Sequence, residues 1–118
     1  MMSLVNLIVL KVHNIERSKN FYSQFGFIFQ SEQHGNGPQH YSCNINGLIF
    51  EIYPASTDLN NLTQNIRLGF QVKNLPQFIE HLIDIEKIIL QPQQTTFGFR
   101  AVIQNHDGHI IELTETSK

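Results

Sequence analysis

The stretch from Leu7 to Ile15 reads Leu-Ile-Val-Leu-Lys-Val-His-Asn-Ile, and Arg67 to Leu75 reads Arg-Leu-Gly-Phe-Gln-Val-Lys-Asn-Leu. The two stretches start 60 residues apart, and a valine, an asparagine and an aliphatic residue coincide. A second pair follows at an offset of 61, with Asn-Gly-Leu-Ile-Phe-Glu-Ile from Asn46 to Ile52 and Asp-Gly-His-Ile-Ile-Glu-Leu from Asp107 to Leu113. Because both pairs keep the same order, half a chain apart, the sequence predicts two copies of one module.

Each copy has the pattern of a strand, a helix and three further strands. In the first copy the predicted elements are a strand from Leu4 to Val12, a helix capped by Asn14 and stopped by Gly26, and strands at Phe27–Glu32, His40–Ile45 and Leu48–Tyr53. In the second copy they are a strand at Ile66–Val72, a helix capped by Asn74 whose faces extend to Glu86, and strands at Lys87–Gln91, Phe97–Gln104 and His109–Glu115. The pattern predicts an α+β fold of two tandem βαβββ modules, about 4–53 and 66–115, joined by a linker at 54–65 in one domain over 1–118.

Composition limits the classes of function. The chain has 118 residues, of which 41% are hydrophobic and 15% charged, and its net charge is −2. No basic block is present to bind a phosphate backbone, and no apolar run approaches the roughly 20 residues of a membrane span. We therefore expect a soluble, cytoplasmic protein with neither nucleic acid nor membrane as a partner. The single cysteine, Cys43, excludes an internal disulfide and is expected to be a buried, inert thiol.

The most informative residues are Glu51 and Glu112, which occupy matching places in otherwise apolar strands. A carboxylate there is costly unless it faces water, an opposite charge or a ligand. One interpretation places each on a solvated sheet face, paired with Arg67 or Arg100. The other is that both face a ligand in a cavity enclosed by the two sheets. The sequence leaves both interpretations open.

Three segments together resemble a known family. They are the run Leu-Lys-Val-His-Asn-Ile-Glu-Arg-Ser at Leu10–Ser18, the aromatic segment Phe21–Phe27, and the closing segment Asp107–Leu113. This combination is similar to the vicinal oxygen chelate superfamily, which includes glyoxalase I, extradiol dioxygenases, fosfomycin-modifying enzymes and bleomycin resistance proteins. The resemblance implies curved mixed sheets around a cleft, known as the glyoxalase/bleomycin resistance fold, and a homodimer.

Metalloenzymes of this superfamily bind one divalent ion through His or Gln and Glu residues on four strands. The resemblance maps those four positions to Leu7, Glu51, Arg67 and Glu112. Leu7 has no lone pair, and Arg67 brings a permanent positive charge to the place of a cation. We therefore expect no metal ion or other cofactor, and we expect Arg67 to pair with Glu112 or Glu51.

The leading hypothesis is a metal-free protein that binds a small molecule in the cleft, similar to bleomycin resistance proteins. The residues assigned to the ligand-binding cleft are His40, Glu51, Arg67, Gln71 and Glu112. By residue type His40 is the best candidate acid or base, whereas His106 and His109, at the closing turn, are expected to be solvated. No residue is assigned a catalytic role.

Two alternatives remain open. The first is an enzyme resembling glyoxalase I, a lactoylglutathione lyase-like lyase or isomerase with an altered metal site for Ni, Zn or Mn, or with no metal. In that case Glu51 or Glu112 abstracts a proton and Arg67 stabilises an enolate oxygen. The second is a degenerate cleft in a chain that acts through its dimer or a protein partner. Whether the chain is an enzyme is left undecided by the sequence.

Overall fold

The computed structural model describes residues 1–116. The chain divides into two compact units, Met1–Thr63 (unit 1) and Gln64–Lys118 (unit 2). Each unit contains one helix and one four-stranded mixed sheet, which confirms the α+β class. Neither helix of the described residues is long and apolar enough to cross a membrane. That the units form one domain whose sheets enclose a cleft stays a prediction.

Unit 1 has the element order predicted for the first copy. Its elements are β1 (Leu7–Val12), α1 (Ile15–Ser23), β2 (Gln30–Glu32), β3 (His40–Ile45) and β4 (Leu48–Pro54). The strands lie in the order β1-β4-β3-β2, with β1 parallel to β4 and the other neighbours antiparallel. Asn46 and Gly47 turn the β3–β4 hairpin at positive φ, as their residue types predict.

Unit 2 repeats this topology. Its elements are β5 (Arg67–Val72), α2 (Leu75–His81), β6 (Ile85–Thr95), β7 (Gly98–Asn105) and β8 (Ile110–Glu115), with the strand order β5-β8-β7-β6. Even the register is repeated, because Val9 pairs with Glu51 in unit 1 and Gly69 pairs with Glu112 in unit 2. The two offsets found in the sequence therefore correspond to the same parallel strand pair in each unit.

A cluster of aromatic side chains packs α1 against its sheet. Asn14 caps the helix by accepting a hydrogen bond from the Arg17 amide at 3.1 Å. Tyr22 is fully buried and meets Phe50 of β4 edge to face, with ring centroids 5.2 Å apart. Because successive strand residues point to opposite faces, burying Phe50 beneath α1 places Glu51 on the other face.

In unit 2 aliphatic side chains, rather than aromatic ones, pack the helix against the sheet. Leu75 of α2 is fully buried, and so are Ile111 and Leu113 of β8, the strand that α2 contacts. Glu112 lies between these two buried residues and therefore points to the opposite face. Asn74 caps α2 as predicted, with its side chain accepting a hydrogen bond from the Gln77 amide at 3.3 Å.

Both helices end earlier than the sequence pattern predicts. In unit 1 the helix stops at Ser23, and the chain turns through Gly26 at a φ of +89°. In unit 2 it stops at His81 instead of continuing to Glu86, because Leu82 is already extended and Asp84 has a φ of +65°. The apolar spacing that suggested further helical turns belongs to a tight connection into β6.

Several strand ends also differ from the prediction. The first strand begins at Leu7 rather than Leu4, and β2 begins at Gln30 rather than Phe27. Phe27 and Phe29 lie before β2 because their rings approach Phe50 at 6.2 and 6.1 Å instead of continuing the ladder. The correction in unit 2 is larger, since β6 covers 11 residues where only Lys87–Gln91 was expected.

The long strand β6 is irregular. It forms the edge of the unit 2 sheet and pairs with β7 alone. Register shifts interrupt that pairing between Ile85 and Lys87, between Ile88 and Leu90, and between Leu90 and Gln93. The last shift spans Pro92, which has no backbone N–H to give to a ladder.

The aromatic cluster leads to a stability prediction. Phe50 is 1% exposed, whereas Phe97 is 79% exposed. We expect Phe50→Ala to lower the free energy of unfolding by about 3–5 kcal/mol, because it removes buried contacts and leaves a cavity. The matched control Phe97→Ala should change it by less than about 0.5 kcal/mol. Urea unfolding followed by circular dichroism measures both, and equal losses would contradict the assigned core.

Candidate functional site

Each unit presents a polar sheet face, which we define as the face opposite its buried core. In unit 1 this face carries Glu51, with Val9 and Ser42 as its cross-strand neighbours. In unit 2 it carries Glu112, with Gly69 and Val102 as its neighbours. A Cβ added at Gly69 would meet nothing within 4 Å, so the unit 2 face is open beside Glu112.

Two guanidinium groups hold Glu112. Its Oε1 accepts a hydrogen bond from Nη2 of Arg100 at 2.6 Å, and its Oε2 lies 3.2 Å from Nη1 of Arg67. The expectation that Arg67 pairs with one of the two glutamates is therefore confirmed, with Glu112 as the partner. Arg100 is only 18% exposed, whereas Arg67 is 58% exposed. Arg100 is thus the enclosed partner, and Arg67 keeps its outer surface available to solvent.

This arrangement leaves no place for a cation at Glu112. Both carboxylate oxygens already face a positive charge, and a guanidinium has no lone pair to offer a metal. The equivalent pair in unit 1 is Leu7 and Glu51, of which only Glu51 has a donor oxygen. The residues at the four strand positions therefore do not fit the divalent ion that the fold family implies.

His40 is the most enclosed of the predicted site residues. It is 1% exposed, and its ring stacks on Tyr53 with centroids 3.9 Å apart. Its Nδ1 lies 3.2 Å from the carbonyl oxygen of Pro38, and its Nε2 lies 3.2 Å from Oε1 of Glu32 and 4.0 Å from Oε2 of Glu51. The buried imidazole of His40 and the carboxylate of Glu51 therefore lie close together in unit 1.

A surface cavity of about 380 Å³ opens beside Glu51. Its lining residues are Val9, Lys11, Pro38, Glu51, Tyr53 and Pro54. Burial raises the pKa of the Tyr53 phenol, and the carboxylates of Glu51 and Glu32 raise it further. The phenol therefore stays protonated at neutral pH and can donate a hydrogen bond beside the Glu51 carboxylate.

The predicted site residues thus fall into one pair in each unit and one separate residue. His40 and Glu51 come together in unit 1, and Arg67 and Glu112 come together in unit 2. Gln71 is exposed on β5 and faces Thr114 across the parallel pair. A role for these five residues in binding a ligand stays a prediction.

The sequence interpretation missed Glu32 as a site residue. Glu32 and His40 are direct partners in the antiparallel β2–β3 pair, which brings the carboxylate to the imidazole. Pairing the two strands across the Gly-Pro turn was the signal that could have found it. Arg100 was considered only as a possible ion-pair partner, and it makes the shortest contact to Glu112.

The histidines at the closing turn were predicted wrongly. His109 is fully buried, and the side chain of His106 is 7% exposed, with its Nε2 3.3 Å from Oδ2 of Asp107. The expectation of solvated rings fails because Asn105 folds the turn inward, accepting from the amides of Asp107 and His109 through its side chain. Cys43 is buried as expected, and burial raises its pKa to about 11, which keeps the thiol protonated.

Comparison with known proteins identifies a family. A family model described as "Glyoxalase-like domain" matches residues 5–118. Among curated proteins, none matches the chain significantly in sequence. Since the family match covers almost the whole chain, it agrees with the superfamily resemblance drawn from the sequence.

Solved structures share the fold at low sequence identity. The hypothetical protein SA1046 from S. aureus superposes with a TM-score of 0.74 at 15% identity, covering 98% of this chain and 95% of its own. A glyoxalase-related enzyme from Fulvimarina pelagi gives 0.72 at 19% identity, covering 98% and 89%. TnmS3, an antibiotic binding protein from Streptomyces sp. CB03234, gives 0.69 at 21% identity, covering 98% of both chains. At these identities the likeness establishes the fold alone.

The two ion pairs of Glu112 should differ in strength. A double-mutant cycle of Arg100→Gln with Glu112→Gln should give a coupling energy of about 1–3 kcal/mol, because that pair is partly enclosed and hydrogen-bonded. The cycle of Arg67→Gln with Glu112→Gln should give less than about 1 kcal/mol, because Arg67 is mainly in water. Chemical unfolding of the six proteins measures both cycles, and the reverse ranking would contradict the geometry.

Proposed function

The chain belongs to the glyoxalase-like domain family of the vicinal oxygen chelate superfamily, and from this premise we propose that it binds a small molecule without converting it. The observation that carries this proposal is the pair of guanidinium groups around Glu112. They lie in the part of unit 2 where a metalloenzyme of this superfamily would have a metal-binding side chain, and they place positive charge where its metal ion would be. A protein built this way has no metal at the four strand positions to polarise a substrate.

The charges on the polar face of unit 2 suggest what a ligand bound there carries. Around Glu112 two arginines are balanced by one glutamate, which leaves one positive charge in excess there. The exposed guanidinium of Arg67 is able to form paired hydrogen bonds with a carboxylate or another planar anion. Arg100 fixes Glu112, so Arg67 is the arginine available to a ligand. We therefore propose a ligand that bears an acidic group recognised by Arg67.

Unit 1 has a candidate binding surface of its own. The cavity beside Glu51 has a volume within the range of about 300–1,000 Å³ that is usual for small-molecule sites. It presents a carboxylate from Glu51 and a phenol donor from Tyr53, which suit donor and acceptor groups on a ligand. TnmS3, a structural neighbour described as an antibiotic binding protein, supports the choice of a binding role for this fold.

The lyase or isomerase alternative is not favoured. A proton abstraction by Glu112 would need a free carboxylate, and both of its oxygens are engaged by arginines. Within residues 1–116, no arginine of unit 1 pairs with Glu51 to stabilise an enolate oxygen. Binding without conversion is therefore favoured over a lyase or isomerase reaction.

The assembly and cellular location are part of the same proposal. Subunits of this superfamily commonly pair, and we propose a homodimer. A single cysteine, buried in β3, suits a reducing compartment, and we propose the cytoplasm. Light scattering on the purified chain measures the mass directly, and a mass of 13.6 kDa for the dissolved particle would contradict the dimer.

A screen of small carboxylic acids by isothermal titration calorimetry tests the binding proposal. We expect a hit whose dissociation constant rises at least about tenfold in Arg67→Gln, because a charged hydrogen bond contributes about 1.5–3 kcal/mol. Lys73→Gln is the matched control, since it removes an exposed positive charge that follows the end of β5 in unit 2, and it should bind normally. Mass spectrometry should recover the ligand unchanged. Conversion of the ligand, or binding that ignores Arg67, would contradict the proposal.

A further inference from the structure

A separate group of donor atoms lies at the β2–β3 end of unit 1. Glu32, His34 and His40 each offer one ligand atom, and the three atoms lie within 4.8 Å of one another. Oε1 of Glu32 is 3.2 Å from Nε2 of His40 and 3.7 Å from Nε2 of His34. Atoms bound to one zinc ion lie about 3 to 3.5 Å apart, because each bond is about 2.0–2.1 Å long. The three donors are therefore close to the spacing of a metal site.

The environment of His40 suits a ring whose Nε2 is available to a metal. Its Nδ1 lies 3.2 Å from the carbonyl oxygen of Pro38, which can only accept, so a proton on Nδ1 completes a hydrogen bond there. A neutral imidazole protonated at Nδ1 has its lone pair on Nε2, and Nε2 points at Glu32. Metal-binding histidines almost always donate the other ring N–H to a carbonyl or carboxylate in this way.

The burial of His40 also favours a bound cation. His40 is 1% exposed and stacked on Tyr53, so its ring cannot turn to solvent. A neutral His40 would hold its Nε2 lone pair against carboxylate oxygens from Glu32 at 3.2 Å and Glu51 at 4.0 Å. Three electron-rich atoms around one point repel each other unless a proton or a metal ion lies among them.

The turn between β2 and β3 holds the third donor in place. His34 begins this turn, and its carbonyl oxygen accepts a hydrogen bond from the Gly37 amide at 2.9 Å. A Cβ at Gly37 would come within 3.0 Å of the same oxygen, so glycine permits the close approach. The His34 ring lies beside the His40 ring with centroids 5.2 Å apart. His34 is 73% exposed, which gives an ion an entry path from water.

From this geometry we propose that Glu32, His34 and His40 form a binding site for a divalent transition-metal ion such as Zn²⁺, Ni²⁺ or Co²⁺. Two imidazole nitrogens and one carboxylate oxygen suit these ions and are poorly suited to Mg²⁺ or Ca²⁺. Three protein ligands at a surface leave a coordination position for water or for a ligand molecule. Glu51 lies 4.0 Å from Nε2 of His40, where its charge adds to the attraction for a cation.

This site goes beyond the proposed binding function and is independent of it. None of its three residues occupies one of the four strand positions at Leu7, Glu51, Arg67 and Glu112. A metal here replaces the expectation of a chain without any bound ion, while Arg67 and Glu112 stay paired with each other. The competing interpretation is a protonated His40 that pairs with Glu32 and binds no metal.

The test begins with the purified full chain, stripped with a chelator and then titrated with Zn²⁺, Ni²⁺ or Co²⁺ alone. Calorimetry should give one ion per chain, and Co²⁺ should show visible absorption bands of an imidazole-ligated ion. His34→Ala is the decisive variant because its exposed ring is not needed for folding. We expect His34→Ala and Glu32→Gln to weaken binding at least as much as the roughly 10- to 100-fold that loss of an outer-shell partner costs.

A control variant and a variant at the strand positions make the result specific. His13→Ala removes another exposed histidine of unit 1 and should leave metal binding unchanged. Absence of stoichiometric binding, or equal binding by His34→Ala and the unaltered chain, would overturn the site. Binding that survives His34→Ala but is lost in Glu112→Gln would place the ion at the four strand positions, and would overturn both this site and the metal-free binding function. Failure of the carboxylic acid screen alone concerns only the binding function.

Discussion

The contact between Tyr22 and Phe50 determines where the chemistry of unit 1 can lie. Because side chains alternate along a strand, a phenylalanine held beneath α1 forces the next residue, Glu51, to the opposite face. Ile111 and Leu113 impose the same condition on Glu112 in unit 2. The polar faces are therefore a direct consequence of the two cores. Any shift of β4 or β8 by one residue would bury a carboxylate and expose the core.

The two units share a backbone plan but differ in the chemistry they support. Glu51 and Glu112 have equivalent partners on the neighbouring parallel strand, Val9 and Gly69. Around Glu51 the neighbouring groups are an imidazole, a phenol and a second carboxylate. Around Glu112 they are two guanidinium groups. The two units thus have equivalent strand frames, and a few outward-facing residues make the surroundings of Glu51 acidic and those of Glu112 basic.

Sequence patterns were sufficient for whatever depends on local or repeated signals. The order of elements, the caps at Asn14 and Asn74, and the pairing of Arg67 with one of the two glutamates were predicted from the sequence, and the structure selects Glu112. Features decided by distant contacts were missed. The pairing of Glu32 with His40 depends on the β2–β3 register, and the early end of α2 depends on a left-handed residue at Asp84.

The register shifts of β6 bear on how the protein behaves in a crowded solution. An edge strand of 11 residues, with Ile88 and Ile89 exposed, would ordinarily invite another chain to add a strand beside it. The interruptions and Pro92 break its row of hydrogen-bonding groups into short pieces. A strand of another chain therefore cannot pair with β6 over its whole length, and this limits aggregation through the edge of the sheet.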